Sequence, residues 1–471
     1  MYQKKVSNHT QSLKLYLREN ALELVVGGVL LLLVISQLVY FWERVYFGHD
    51  DLSQIESYVW FFETEGRWLI YFMFPFMRYV NTHLALMADL FLFGIFSYIC
   101  ARQWLNAKRS VVVVLLLLLT PSIAFFVDWP IIGLPAFLFL AAAALSSRVM
   151  PRWAYFCLFG VLFNATYSNM YFLLPLLFLN ERPGKQVLGL IWWVMGYLVG
   201  FAVAEVITYT VCGHFIELAE FRQPHYIRNW GDVVVNAKKA LTYLNEHVRY
   251  LGKVGALVLA VSAATYCWKF RKDAWKGGLP WLVLAGVALS CYAQSMPAGI
   301  VVSLRTVHGL YIAGILGVIM SLRHNRVLLS VAVLVLGCRC FCMNATNLKC
   351  QNAIKAGLYS DIAQLNINPS SVKGVVMLST DDDVKRIIEL MKQRCRESCY
   401  PGINVNLDSW CAAPRRAGFE NIAVRQWAID CIRKNKIDLS EVRFIRQGIY
   451  SYAVYDEWLL LKINDVSSAS F

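Results

Sequence analysis

The chain has 471 residues, of which 58% are hydrophobic and 16% charged, and its formal charge is +14. Those proportions exclude an ordinary globular enzyme, and no basic stripe interleaved with aromatics suggests a nucleic-acid partner. The cations sit in short clusters between hydrophobic runs such as Val111 to Leu119, which is the distribution of a membrane topology.

In chain order, apolar runs near 22–42, 84–101, 110–127, 131–147, 153–166, 169–179, 187–211, 254–268, 279–296, 304–321 and 327–343 predict about eleven transmembrane helices. The fifth and sixth are short and read as a helical hairpin interrupted at Asn164, Thr166, Ser168 and Asn169. Irregular backbone at membrane depth must be covered by protein or line a wet cavity. The break therefore marks either a cavity or a kink buried in the bundle.

Lys4, Lys5, Lys14 and Arg18 place the N-terminus in the cytoplasm. Alternating passes then put Arg102/Lys108/Arg109, Arg148/Arg152, Arg182/Lys185, the 269–276 cluster and Arg323/Arg326 inside. The first run is too long, and too directly followed by Trp42 and Glu43, for a cleavable signal peptide. The expected division is a membrane domain over 1–343, with outer loops at 43–83 and 212–253, and an outer domain over 344–471.

Within the first outer loop, Leu52, Ile55, Val59 and Phe62 recur at helical spacing, as in an amphipathic interfacial helix. A second such helix is expected across Val233 to Leu251. In the C-terminal domain, Val375 to Leu378 reads as a buried strand, Asp381 to Arg394 as a helix, and Val442 to Ile463 as strands. These elements predict a small α/β domain. Cys395, Cys399, Cys411 and Cys431 allow three disulfide pairings, and their spacing, without a histidine nearby, fits no standard zinc site. Neither a metal nor a cofactor is expected.

Candidate chemistry gathers on the outer face. His49-Asp50-Asp51 follows the first run closely, and two adjacent carboxylates repel, which poises one as a base. Asp51 and Gln54 also have capping-box spacing, so the same acids can cap a helix. Arg67, beside Gly66, is placed either to approach an anion or to snorkel to the headgroups. Asp128 lies in the tight turn Val127-Asp128-Trp129-Pro130, with a turn-forming and a catalytic reading both open. Arg305 and His308 open the tenth run beyond Pro297 and Gly299, where an arginine can neutralise a lipid-borne phosphate or anchor the chain. Arg222, His225, Arg228 and Arg249 are further cationic candidates. Asp381-Asp382-Asp383 contains a D-x-D but precedes a helix that such acids cap, on the side without nucleotide sugars.

These residues suit transfer of a sugar from a polyprenyl-phosphate carrier to an acceptor outside. With His49-Asp50-Asp51, Gly66-Arg67, the Tyr167 to Leu179 segment and Arg305, the chain resembles the GT-C class of membrane glycosyltransferases. More narrowly, it resembles the serotype-converting O-antigen glucosyltransferases of phage and enteric bacteria. Where that pattern has Tyr-Gln, this chain has Tyr167-Ser168-Asn169-Met170. The resemblance implies glucose, or another hexose, moving from undecaprenyl-phosphate-glucose to lipid-linked O-antigen on the periplasmic face of a bacterial inner membrane. It implies Asp50 or Asp51 as base and Arg67 and Arg305, with His308, at the donor phosphate. His49, Asp128, Tyr167, Arg228 and Arg249 are further substrate-binding candidates. It also implies membrane lipids as surroundings, no nucleic acid, and a functional link to a carrier-loading transferase and a flippase. The rival classes are a transporter or flippase of lipid-linked sugar and an O-antigen polymerase. A transporter is expected to carry charges in its spans and an inverted repeat. Here only Asp89 and Glu205 stand out, and no repeat is visible.

Overall fold

The computed structural model describes residues 21–42, 58–77, 79–127, 129–218, 224–269, 274–300, 302–379, 383, 414, 417–419, 421–423, 426–447 and 450–463. The sequence-nominated His49, Asp50, Asp51 and Asp128 lie outside them. So do the helix expected over 381–394, apart from Asp383, and three of the four C-terminal cysteines. Contacts divide the chain into two units, one made of 1–39, 58–126 and 130–344, the other of 40–57, 127–129 and 345–471.

The first unit is helical. Its elements are α1 (Ala21–Trp42), α2 (Tyr58–Glu65), α3 (Trp68–Met77), α4 (Thr82–Ala101), α5 (Ala107–Leu118), α6 (Pro121–Phe126), α7 (Pro130–Ser146) and α8 (Arg152–Asn164). A 3-10 helix (Ser168–Phe178) follows, then α9 (Pro183–Cys212), α10 (Trp230–Lys269), α11 (Ala274–Ser295), α12 (His308–Leu322) and α13 (Arg326–Ala363), which continues into the second unit. Six of these helices are long and apolar enough to cross a membrane: α1, α4, α9, α10, α11 and α13. The eleven apolar runs thus do not fold as eleven helices of spanning length. The run at 110–127 is divided at Thr120-Pro121, because proline has no N–H to continue the ladder. The run at 304–321 opens with a 3-10 turn (Leu304–Thr306) before a helix of 15 residues.

Backbone carbonyls freed at these breaks are met from elsewhere in the unit. The Leu118 carbonyl accepts from Gln37 Nε2 at 3.2 Å, and the Leu119 carbonyl from Asn344 Nδ2 at 2.8 Å. Asn344 also donates to Gln37 Oε1 and accepts from the Tyr250 hydroxyl. In α10, Gly252 sits at φ +68°, ψ −178°, and separates the stretch expected as an interfacial helix from the apolar stretch. Arg339 Nε donates to the Leu251 carbonyl freed there, at 3.2 Å. Such re-satisfaction is obligatory where water is scarce.

Runs of 3-10 helix seldom exceed four residues, yet this one has 11, about 22 Å at 2 Å per residue. Gln103 Nε2 reaches the Leu176 carbonyl and Gln186 Nε2 the Leu179 carbonyl, both at 2.6 Å, while the Tyr171 hydroxyl donates to the Trp193 carbonyl at 2.6 Å. Neighbouring helices therefore hold a segment whose own ladder is weak. The helices α8 and α9 meet backbone to backbone. A side-chain carbon at Gly160 would lie 2.0 Å from the Gly196 carbonyl oxygen, and one at Gly200 would lie 2.2 Å from that of Gly160. Small residues at this crossing supply the dispersion contacts that replace a hydrophobic drive inside lipid.

The second unit carries a five-stranded sheet of order β2-β1-β5-β4-β3. Its strands are β1 (Gly374–Met377), β2 (Ile422–Ala423), β3 (Ile445–Gln447), β4 (Tyr450–Tyr455) and β5 (Trp458–Ile463), with α14 (Gln426–Lys434) between β2 and β3. β1 runs parallel to both β2 and β5, and the rest is antiparallel. Val376 and Leu460 pack with Ala428 and Ile437 in its core, each large aliphatic worth about 1.5–3 kcal/mol when buried. Cys431 is half-buried and carries a free thiol.

Candidate functional site

The interruption after Asn164 organises the site. Asn164 Nδ2 donates to the Gly160 carbonyl at 2.9 Å and Thr166 Oγ1 to the Leu162 carbonyl at 2.8 Å, so the break's polar side chains close back on α8. The Ala165 carbonyl turns the other way and accepts from the Ile70 N–H of α3 at 3.4 Å. That contact places the start of α3, and Arg67 with it, beside Tyr167.

Gly66 makes this approach possible. Its φ of +66° reverses the chain between α2 and α3, and a side-chain carbon there would meet Ile216 at 2.5 Å. The Arg67 guanidinium lies over the Tyr167 ring, 5.1 Å from its centroid, and is ion-paired with Glu65. A cation this close to an aromatic face is attracted to it. Both side chains of the pair are shielded, at 15% and 8% exposure.

Phe126, at the end of α6, joins Tyr167 to His308. Its ring meets Tyr167 edge-on at 5.2 Å and His308 at 5.7 Å. Asp89 is buried, and Gly133 leaves room for both: a side-chain carbon there would lie 2.2 Å from Phe126 and 3.3 Å from Asp89 Oδ2. Arg305 arrives on its 3-10 turn, which packs on α6 and leads directly into His308. Segments distant in sequence thus bring Arg67, Tyr167, Arg305 and His308 into one neighbourhood.

The hydrogen bonding of this group is incomplete within the protein. His308 is fully buried and neither ring nitrogen has a partner, which among the described residues is true of no other histidine. The buried Tyr167 hydroxyl has Asn169 as its one side-chain partner, and Ser122 Oγ, on α6, has none. Buried polar atoms are nearly always paired, so a group of them left open marks a place where something else bonds.

A second layer fixes the backbone around the site. Gln294 Nε2 donates to the Tyr197 hydroxyl at 2.8 Å and to Ser168 Oγ at 3.3 Å, and Cys291 Sγ donates to the Thr306 carbonyl at 3.0 Å. Ahead of Arg305, the N–H of His225 donates to the Ala298 carbonyl at 2.6 Å, and Asn236 Nδ2 donates to the carbonyls of His225 and Met296. Asn236 Oδ1 would lie 2.2 Å from a side-chain carbon at Gly299, whose φ is +54°.

Arg228 and Arg249 do not join this group. Both are exposed, and among the described residues neither guanidinium forms a hydrogen bond or ion pair. The Arg228 N–H donates to Asp232 at 2.8 Å, a carboxylate that also accepts from the Asn229 N–H and meets His225 at 3.0 Å. Among the described residues no three His, Cys, Asp or Glu side chains cluster as a metal site would. The positions missed from sequence are Phe126, Ser122, Tyr197 and Gln294. Gln294 had a usable signal, a polar residue inside an apolar run, but it is uncharged and a scan for charges passes it by. Compared with known protein families, curated proteins and solved structures, the chain matches none.

Proposed function

We propose that the chain is a polyprenyl-phosphate-sugar-dependent hexosyltransferase of GT-C type, moving glucose or another hexose onto lipid-linked O-antigen at the periplasmic face. The observation that carries the proposal is the grouping around Phe126 of Tyr167, with Arg67 over its ring, and of His308 with both nitrogens open, the turn that bears Arg305 packing on the same helix. Two guanidinium groups at a break in the helical packing suit a phosphate presented from the bilayer. Unpaired imidazole nitrogens suit the hydroxyls of a sugar.

In the proposed step, Asp50 or Asp51 accepts the proton of an acceptor hydroxyl. The hydroxyl oxygen forms a bond to the anomeric carbon as the bond from that carbon to the phosphate oxygen breaks. The electron pair leaves with the polyprenyl phosphate, whose growing negative charge Arg67 and Arg305 meet. No protein acid is needed at a phosphate leaving group, and attack from the far face inverts the anomeric centre. In this reading the chain crosses the inner membrane eleven times with shorter and broken helices completing the count, and residues 344–471 face the periplasm.

The test is the O-antigen structure from cells producing the parent protein, Asp50→Asn or Asp51→Asn at equal membrane level. A side-branch hexose present with the parent and lost with one variant supports a transferase and identifies its base. An unchanged glycan with both variants reduces the acid pair to a helix cap and favours a transporter. Altered O-antigen chain length without a lost branch points to a polymerase.

A further inference from the structure

We propose that the helical unit holds an anionic membrane phospholipid in a groove between α1, α5 and α13. The groove is walled by apolar side chains, among them Val26 of α1, Val113 of α5 and Leu329 of α13, and it carries Glu23, Arg109 and Arg326. Its walls match an acyl chain and its cations match the phosphodiester at that chain's head.

The charges do not cancel. Arg109 donates from Nε and one terminal nitrogen to Glu23 Oε1, at 3.1 and 3.0 Å. Arg326 is exposed and forms no hydrogen bond or ion pair among the described residues. One positive charge therefore remains at the groove once Glu23 and Arg109 have neutralised each other. A free inorganic phosphate would leave the apolar walls uncovered, and a zwitterionic lipid would bring a headgroup cation that offsets its phosphodiester beside Arg326. A phosphatidylglycerol-like lipid satisfies both. The groove shares none of the residues around Tyr167, so its lipid is distinct from the sugar carrier proposed there.

The test uses the full chain purified in detergent. Phosphatidylglycerol or phosphatidylcholine is added at equal mole fraction, bound lipid is counted by native mass spectrometry, and the thermal midpoint is followed. Phosphatidylglycerol is expected to stay bound and raise the midpoint, with the effect weakening in high salt. Arg326→Gln is expected to weaken its binding about fivefold, the usual worth of one cation at a lipid phosphate. Glu23→Gln, which releases Arg109, is expected to tighten it. Equal effects of the two lipids, or retention by Arg326→Gln with parent affinity, would overturn the proposal. A preference for phosphatidylcholine over phosphatidylglycerol would overturn its anionic part. The comparison of lipids and of salt on the parent protein decides the matter even if a variant is not recovered.

Discussion

At the scale of single residues, His308 and Arg305 make contrasting demands on the molecule. His308 is enclosed, and its two nitrogens bond to nothing in the protein. Replacing such a group by an apolar one of similar shape removes a desolvation penalty of about 1–3 kcal/mol. His308→Phe is therefore expected to leave the thermal midpoint in detergent unchanged or raised, while sugar transfer by membranes given labelled polyprenyl-phosphate sugar collapses. A variant that loses stability and keeps transfer would make His308 a packing residue. Arg305→Gln is expected to lower transfer about 10²–10³-fold, as losing one preorganised charge does, at an unchanged membrane level. Arg67→Gln differs because Glu65, 8% exposed, then loses its ion pair with Arg67. It is expected to cost stability as well as transfer.

At the scale of elements, the site depends on how closely α8 and α9 approach, since Tyr167 follows α8 by three residues. Gly196 of α9 faces the Phe156 carbonyl, which a side-chain carbon would meet at 2.4 Å, with the Tyr171 hydroxyl at the same distance. Backbone cannot yield as a side chain does. Gly196→Leu is thus expected to cost at least the 1–3 kcal/mol of ordinary overpacking and to separate the helices. The check is the thermal midpoint together with the yield of cross-linking between cysteines introduced on α8 and α9; parent-like values for both would refute the tight crossing. The interruption itself was legible, because Asn164, Thr166, Ser168 and Asn169 stand out in an apolar run. Its consequence, an 11-residue 3-10 helix, was not. Gln103 and Gln186 support that helix from elements on either side of it, and no local pattern announces such contacts.

At the scale of the whole molecule, the proposed eleven passes make a statement about sides. Fusion of alkaline phosphatase after residue 343 is expected to be active, and fusion after Arg148 or Arg323 inactive, with fluorescent-protein fusions giving the reverse. The opposite result after residue 343 would reverse the topology and remove the acid pair from the compartment of the proposed acceptor. The six helices of spanning length establish less than that. Apolar composition by itself requires burial of these runs in lipid or in protein, and clustered cations suggest an order of sides. Sequence by itself also determined the strand at Val375 to Met377, the strands after Val442, and the break between Asn164 and Asn169, but not the one at Thr120-Pro121. Apolarity, proline and glycine act on their own chain neighbours, so their effects are written locally. Only the tertiary structure decided that Arg67, Tyr167, Arg305 and His308 meet around Phe126, and that Arg228 and Arg249 stay apart. Those contacts join segments from 41 to 182 residues apart. They follow from which helices pack together and at what separation, and no spacing along the chain encodes that.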